Sequence, residues 1–307
     1  MGRPGPAHAQ DTVMQLENHI YDAVIVGAGP AGVSCAVWLA RLGFAPLLLE
    51  AGGQVGGLCR QHAFRDDWNA SLPGRTGPQV ADNLALSLEQ AGVPLRLSRA
   101  VEAVAPDGHG FTVATQGGET ALGRHLVIAT GVRARGLPGA KHGGLLVGPG
   151  QHIVSQRFQG KRVAVLGGGD NAFENALYAI EHGARAVQVF ARTVRAQHQF
   201  VRRVPAGCVT RGDYAVDAAA RTVNGQAYDV IMVFYGWEPC VDFAAGLQLA
   251  RSGRGYVATD WRTAQASHEG VYAIGEVAQR QHPCVVTALA DGVTAAKAIQ
   301  ARIEAGR

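Results

Sequence analysis

The chain has 307 residues, of which 47% are hydrophobic and 17% are charged, and its formal net charge is +4. This length accommodates two domains, each with a buried core. The positive charge is mild and scattered, so a nucleic-acid partner is not expected, and no apolar run reaches the roughly eighteen residues of a membrane-spanning helix. Residues 1–19 are polar and lack the apolar core of a secretory signal, so we expect a disordered tail on a cytoplasmic protein.

The first predicted elements are a strand, a glycine-rich turn and a helix. Residues 21–26 are apolar, G-A-G-P-A-G follows at 27–32, and helical periodicity covers 31–42. In a dinucleotide fingerprint of this kind the first glycine allows a tight turn, the second lets the backbone approach a pyrophosphate, and the third lets the helix pack on the strand. The next strand, over 45–49, ends at Glu50, an acid about twenty residues past the glycines and suited to ribose hydroxyls.

The middle of the chain is less regular. Residues 51–78 are rich in glycine, proline and polar residues and are predicted to form a long functional loop. Apolar spacing predicts a helix over 79–91, and residues 136–159 are interpreted as a linker into a second unit. Short strands are predicted over 95–97, 101–104, 111–114 and 126–129.

The second unit repeats the order of the first. An apolar strand over 161–166 leads into G-G-G-D-N-A at 167–172 and a helix over 171–181. Two such fingerprints, each with its own strand and helix, predict two bound dinucleotides and therefore electron transfer between them. Further strands are predicted over 186–190, 229–234 and 270–274, with a final helix over 287–304.

The five cysteines are dispersed along the chain. Their number is odd, none are paired at C-x-x-C spacing and no metal-ligand pattern appears, so no metal site is expected. Most of them are interpreted as small buried side chains in a reducing compartment. They are Cys35, which falls on the inward face of the first helix, Cys59, Cys208, Cys240 and Cys284.

Five short motifs occur in order along the chain: G-A-G-P-A-G at 27–32, A-T-G at 129–131, G-G-G-D-N-A at 167–172, G-W-E-P at 236–239 and G-E-V-A at 275–278. Together they resemble the low-molecular-weight thioredoxin reductase-like flavoproteins, over nearly the whole chain. The resemblance implies an α/β fold of two Rossmann-like domains of the three-layer ββα type, assembled as a homodimer. It implies an FAD domain formed by 20–137 and 239–307, with an NAD(P)H domain inserted at 138–238.

The resemblance also implies which residues hold FAD. Glu276 stands where the family usually has aspartate, one methylene shorter, to bind the ribityl hydroxyls. The implied FAD contacts are Gly27, Gly29, Pro30, Ala31, Gly32, Glu50, Ala51, Gly56, Gly57, Leu58, Val101, Ala129, Thr130, Gly131, Gly275, Glu276, Pro283 and Val285.

A second group of residues is implied for the nicotinamide dinucleotide. Arg192 and Arg195 follow the strand at 186–190, where no acid is present, and this favours the 2′-phosphate of NADPH over NADH. The implied contacts in the glycine turn are Gly167, Gly169, Asp170, Asn171 and Ala172.

One departure from the family pattern bears directly on the reaction. Thioredoxin reductases carry C-x-x-C just ahead of the second glycine motif, but residues 145–155 contain no cysteine. We therefore expect NADPH to reduce FAD, and the flavin to pass electrons directly to a small electron-carrier protein or a small molecule. The nearest functional model is the family branch of ferredoxin/flavodoxin–NADP reductases.

Two alternatives stay open at this point. The first is a disulfide reductase or dithiol oxidase that uses Cys284, with or without Cys59, and in which His282 relays protons to the flavin. The second is a slowly turning over flavoprotein that serves as a binding module or redox sensor.

Overall fold

The computed structural model describes residues 19–62, 64–137 and 145–306. The disordered tail expected over 1–19 therefore lies, except for its last residue, outside the described residues. The strands are β1 (Ile20–Val26), β2 (Pro46–Leu49), β3 (Leu95–Arg96), β4 (Val101–Asp107), β5 (Gly110–Thr115), β6 (Thr120–Ile128), β7 (Val132–Ala134), β8 (Leu145–Val147), β9 (Arg162–Leu166), β10 (Ala186–Ala191), β11 (Val209–Arg211), β12 (Val216–Asp217), β13 (Thr222–Val223), β14 (Gln226–Ala227), β15 (Val230–Val233), β16 (Trp237–Pro239) and β17 (Val271–Ala273).

Seven helices are seen in the described part of the chain. They are α1 (Pro30–Arg41), α2 (Gly57–Gln61), α3 (Gly77–Ala91), α4 (Gln151–Val154), α5 (Asp170–Glu181), α6 (His198–Val201) and α7 (Val285–Ala305). Short 3-10 helices cover Ala206–Cys208, Asp242–Leu247 and Gly275–Val277. None of the helices in the described residues has the length and apolar character needed to cross a membrane.

The chain divides into two compact units. The second unit is Arg133–Glu238 together with the short piece Gln61–Ala63, and the first unit contains the remainder. The first boundary lies between Val132 and Arg133, a few residues before the expected division at 137–138. The two chain crossings, β7 and β16, pair with each other in a two-stranded sheet.

A seven-stranded sheet forms the first unit, in the order β3-β2-β1-β6-β5-β4, with β17 also paired to β6. The β1, β2, β3, β6 and β17 pairings are parallel, and β4, β5 and the first half of β6 form an antiparallel meander. Alternate residues of β1 face different cores, since Val24 belongs to one cluster with the meander and Ile25 to another with the helices. The sheet thus carries helices on one face and strands on the other.

The second unit has the same layering around a five-stranded parallel sheet. The strand order is β11-β10-β9-β15-β8. Val163 and Val165 of β9 pack with α5, while Ala164 and Leu166 pack on the side of the small sheet formed by β12, β13 and β14. The predicted α/β fold with two Rossmann-like ββα units is therefore confirmed.

Local sequence explains where the long helices begin and end. Helix α3 starts with a capping box, in which the Gln79 side chain accepts a hydrogen bond from the Thr76 N–H (3.1 Å), and it ends at Gly92 in the left-handed region. Pro78 fits its first turn, so the helix starts two residues before the predicted position, at Gly77.

The predicted linker over 136–159 is wrong in part. Leu145–Val147 pairs in parallel with β15 as the edge strand β8, and Gln151–Val154 forms α4. Three paired residues followed by Gly148, Pro149 and Gly150 give no periodicity from which a strand could be recognised. Residues 138–144 of this stretch lie outside the described residues.

Helices α1 and α7 cross at very short range, and this contact generates a prediction. A Cβ atom on Gly292 would lie 2.5 Å from the Ala31 carbonyl oxygen and 2.7 Å from the Cys35 nitrogen. We expect Gly292→Ala to lower the free energy of unfolding by about 1–3 kcal/mol, because the overlap with backbone outweighs the gain in helix propensity.

Urea unfolding of the full chain measures this effect, with Gly306→Ala as the matched control. A Cβ atom on Gly306 would have its nearest neighbours at an ordinary 3.7 Å. Equal unfolding midpoints for the two variants would contradict the proposed close crossing.

Candidate dinucleotide-binding sites

Two glycines of the first loop are required by the protein's own packing. Gly27 has φ +104°, and a Cβ atom there would lie 2.5 Å from the carbonyl oxygen of Ala129. A Cβ atom on Gly32 would lie 1.9 Å from the Gly27 carbonyl oxygen. These contacts bring the start of α1 against the ends of β1 and β6.

Gly29 is different, because a Cβ atom there would meet nothing within 4 Å. Its backbone is extended, with φ −73°, so neither conformation nor packing demands glycine. Pro30 begins α1 directly after it, and the helix N-terminus carries a partial positive charge. This open side of the loop is the place where an anionic ligand can approach the main chain.

A second pair of glycines stands beside this loop. The Gly56 N–H donates to the Ala28 carbonyl (2.8 Å), and a Cβ atom on Gly57 would lie 3.4 Å from the Gly29 α-carbon. Both have positive φ, +122° and +52°. The turn that leads into Leu58 and α2 thus borders the open side of Gly29.

The Glu50 carboxylate lies at the same loop. Its Oε2 accepts a hydrogen bond from the Ala28 N–H and its Oε1 from the Gly52 N–H, both at 2.7 Å. Two main-chain donors therefore hold the carboxylate at the mouth of the glycine loop, whereas the neighbouring Ala51 is exposed.

The strand end after β6 is fixed by contacts to the second part of the first unit. The Thr130 hydroxyl donates to the Cys240 carbonyl, and the Cys240 N–H donates to the Gly131 carbonyl (3.1 Å). Val101 lies on β4, and its side chain packs against the core between the sheet layers.

The Gly275 turn is anchored by an acid that sequence reasoning missed. The Gly275 N–H donates to Asp291 Oδ2 (3.0 Å), and Asp291 Oδ1 pairs with Arg280 at 3.1 Å. The Arg280 and Asp291 side chains are only 3% and 4% exposed. The available signal was an acid inside the apolar run A-L-A-D-G-V of a helix, because an acid in that position requires a buried partner.

Glu276 follows this turn and is half-buried, and desolvation raises the pKa of its carboxyl group. Together with Asp291, Pro283 and Cys284 it lines a small cavity within the first unit. The structure therefore brings Gly275, Glu276, Pro283 and Cys284 together, as the order of the motifs suggested. Val285 begins α7 directly behind them.

Cys284 serves as the N-cap of α7. Its sulfur accepts from the Thr287 N–H (3.5 Å), and the Thr287 hydroxyl donates to the His282 carbonyl (2.7 Å). The side chains of Cys284 and His282 are both exposed. Cys284 is therefore an accessible thiol with a structural contact of its own.

Cys59 differs from Cys284 in its surroundings. The Cys59 thiol is partly buried and donates to the Gly77 carbonyl (3.4 Å), and burial raises its pKa to about 11. Cys35 is fully buried in the helix-side core, as predicted, and burial raises its thiol pKa as well. At neutral pH both thiols are protonated and poorly nucleophilic.

The second glycine loop repeats the geometry of the first. Gly167 has φ +140°, and a Cβ atom on it would lie 2.4 Å from the Phe234 carbonyl oxygen. A Cβ atom on Gly169 would meet nothing within 4 Å, and Ala172 is fully buried at the third position. The Asn171 carbonyl accepts from the Asn175 side chain (2.7 Å) within α5.

Asp170 makes contacts that the motif did not indicate. Its carboxylate accepts from the main-chain N–H (2.7 Å) and the side-chain amide (3.0 Å) of Gln197. Arg192 and Arg195 are exposed on the segment between β10 and Gln197. The described residues contain no cluster of three or more acidic, histidine or cysteine side chains that could hold a metal ion.

Comparisons with known proteins agree with this geometry. The family model of the pyridine nucleotide-disulphide oxidoreductases matches residues 21–292. A thioredoxin reductase from Mycolicibacterium smegmatis is 29% identical, with 92% of this chain and 96% of the relative covered. A ferredoxin–NADP reductase from Acidiphilium cryptum is 28% identical, with 84% of each chain covered.

A solved structure shares the fold over nearly its whole length. The thioredoxin reductase of Lactococcus lactis in its FR conformation matches with a TM-score of 0.78 and 26% identity, covering 92% of this chain and 98% of the other. The resemblance seen in the motifs is thereby confirmed, as is the enzyme class that it implied, an FAD-dependent NAD(P)H oxidoreductase. The chain belongs to the pyridine nucleotide-disulphide oxidoreductase family.

Proposed function

We propose that this enzyme takes electrons from NADPH into FAD and passes them from the flavin directly to an external acceptor. The observation that carries the proposal is a pair of glycine loops, each with one open glycine, in a chain without C-x-x-C. In this proposal the first unit binds FAD and the second binds NADPH.

The first loop fits the pyrophosphate of FAD. Gly29 leaves the main chain open, and the N-terminus of α1 favours the negative charge. Glu50 offers a fixed carboxylate to the ribose hydroxyls, and Glu276 offers a half-buried carboxyl group to the ribityl chain. The bound flavin supplies the redox chemistry by accepting a hydride and releasing electrons.

The second loop fits a nicotinamide dinucleotide with a 2′-phosphate. Gly169 is open at the N-terminus of α5, as Gly29 is at that of α1. Strand β10 ends at Ala191, where an acid would favour NADH, and the exposed guanidinium groups of Arg192 and Arg195 follow. This chemistry favours NADPH over NADH.

The acceptor follows from the missing dithiol. Relatives of similar identity carry the names thioredoxin reductase and ferredoxin–NADP reductase. Without C-x-x-C, electron release from flavin to a small electron-carrier protein or a small molecule is the simpler route. As part of the same proposal the enzyme is a homodimer, as the family resemblance implies, and it acts in the cytoplasm.

A second candidate function uses Cys284 as a redox thiol. It is favoured by the exposure of that sulfur and by its position beside Glu276 at one cavity. Cys59 is a poor partner because its thiol is partly buried and has a pKa of about 11. This candidate therefore needs Cys284 to react with a disulfide or dithiol substrate, with His282 as the neighbouring proton carrier.

Anaerobic reduction tests the main proposal. We expect the purified protein to be yellow, NADPH to bleach the flavin band faster than NADH, and a ferredoxin or flavodoxin to accept the electrons while oxidised thioredoxin does not. A colourless protein that cannot be reconstituted with FAD would contradict the proposal. Efficient thioredoxin reduction would favour the second candidate.

Paired substitutions in the first glycine loop separate folding from binding. We expect Gly29→Ala to leave the melting temperature of the apoprotein unchanged but to weaken FAD binding at least tenfold, because the added methyl occupies the ligand's side of the loop. Gly27→Ala should destabilise the fold by about 1–3 kcal/mol, because its φ is positive and its Cβ atom overlaps a carbonyl. Unchanged FAD fluorescence titration for Gly29→Ala contradicts the assignment.

Alkylation and Cys284→Ser test the thiol chemistry. At neutral pH we expect iodoacetamide to modify Cys284 first, Cys59 slowly and Cys35 only after unfolding, with the Cys59 rate rising as the pH approaches 11. Under the main proposal Cys284→Ser retains NADPH-dependent reduction of both a dye and the protein acceptor. Loss of a disulfide reductase activity in that variant, with dye reduction intact, would support the second candidate instead.

A further inference from the structure

The segment after β10 turns back over the second glycine loop and is hydrogen-bonded to it. The N–H groups of Arg195 and Ala196 both donate to the Gly168 carbonyl, at 2.6 and 2.9 Å. A Cβ atom on Gly168 would lie 2.0 Å from the Thr193 carbonyl oxygen, so glycine is needed for this approach. The segment over 192–197 thus rests directly on the loop that borders the proposed NADPH site.

The Asp170 carboxylate holds the same segment at a second place, Gln197. Its Oδ1 accepts from the Gln197 N–H at 2.7 Å, and its Oδ2 accepts from the Gln197 side-chain amide at 3.0 Å. Both carboxylate oxygens are therefore used by one residue of the segment, in hydrogen bonds strengthened by the carboxylate charge. Gln197 is also the residue that precedes α6, so the contact fixes where the segment ends.

A carboxylate at position 170 disfavours an anionic ligand at this loop. Asp170 is the first residue of α5, where a dinucleotide pyrophosphate would lie and where a negative charge repels it. The negative charge of Asp170 also acts on Glu174: burial raises the pKa of the Glu174 carboxyl group, and repulsion by Asp170 raises it further. Holding Gln197 gives a reason for an acid in spite of this repulsion.

We propose that Asp170 is a positioning residue for nucleotide selectivity. By holding Gln197 it keeps the segment that carries Arg192 and Arg195 ordered in advance, so that binding of a 2′-phosphate does not have to order it. Asp170 itself needs no contact with the 2′-phosphate. The inference rests on the proposed use of NADPH.

Calorimetric titration of the full chain tests the inference with two probes, NADP⁺ and NAD⁺, which differ only in the 2′-phosphate. The variants are Asp170→Ala, Asp170→Asn and Gln197→Ala. The control is Glu181→Gln, which removes the same charge from the opposite end of α5, where Glu181 pairs with Arg203 on the surface. Thermal melts establish that each variant is folded.

We expect the wild type to prefer NADP⁺, and Asp170→Ala to reduce this preference at least tenfold, because both charge-assisted hydrogen bonds to Gln197 are lost. Its affinity for NAD⁺ should stay the same or rise, because a negative charge has left the loop. Asp170→Asn and Gln197→Ala should show partial losses, since each keeps one of the two hydrogen bonds, and Glu181→Gln should match the wild type.

Three outcomes would overturn the inference. If Asp170→Ala keeps the full preference, the segment does not depend on Asp170, and the proposed function stands. If it loses affinity for both probes equally, Asp170 acts on the pyrophosphate loop and not on selectivity. If the wild type itself shows no preference for NADP⁺, the proposed use of NADPH fails first, and this result is visible without any variant.

Discussion

The structure depends on one close contact that occurs once in each unit. The first glycine of each loop packs against a main-chain carbonyl at the end of a neighbouring stretch, Ala129 for Gly27 and Phe234 for Gly167. No side chain fits there, and both glycines adopt positive φ. This contact sets the helix start at the edge of the parallel sheet, with its N–H groups pointing outward, and leaves the second glycine open. Everything proposed about ligands follows from that placement.

The two units differ in the position of the carboxylate that lies near the glycine loop. In the first unit the Glu50 carboxylate accepts hydrogen bonds from Ala28 and Gly52, so the acid serves the loop from the next strand. In the second unit the equivalent strand ends at Ala191, and Asp170 at the start of the helix instead accepts hydrogen bonds from Gln197, in the segment after that strand. Because the carboxylate of the second unit lies on the helix, basic residues can occupy the strand end. The same fold can thereby present an acidic edge to one nucleotide and a basic edge to the other.

Sequence patterns predicted the parts of the structure that are locally determined. The glycine loops, the strands at 21–26 and 161–166 and the long helices follow from periodicity and turn chemistry, and their bounds hold to within a few residues. Contacts between distant segments were not accessible in this way. The Arg280–Asp291 pair and the Asp170–Gln197 contact join side chains whose spacing carries no signal, and β8 is defined only by its pairing with β15. The candidate residues for FAD could be named because motifs mark backbone positions, while the side chains that hold those motifs in place could not.

The cysteine-free stretch ahead of the second glycine loop is part of a packed core. It forms α4, whose Ile153 is fully buried in the core of the second unit together with Phe158 and Phe173. A cysteine at Ile153 would leave a cavity in that core and a protonated, inaccessible thiol. The preceding Gly150 has φ +155°, which a cysteine would adopt only with strain. A dithiol placed at positions 150 and 153 would therefore disrupt the local packing. Under the proposed function, electrons that reach the flavin leave through a partner from outside this segment.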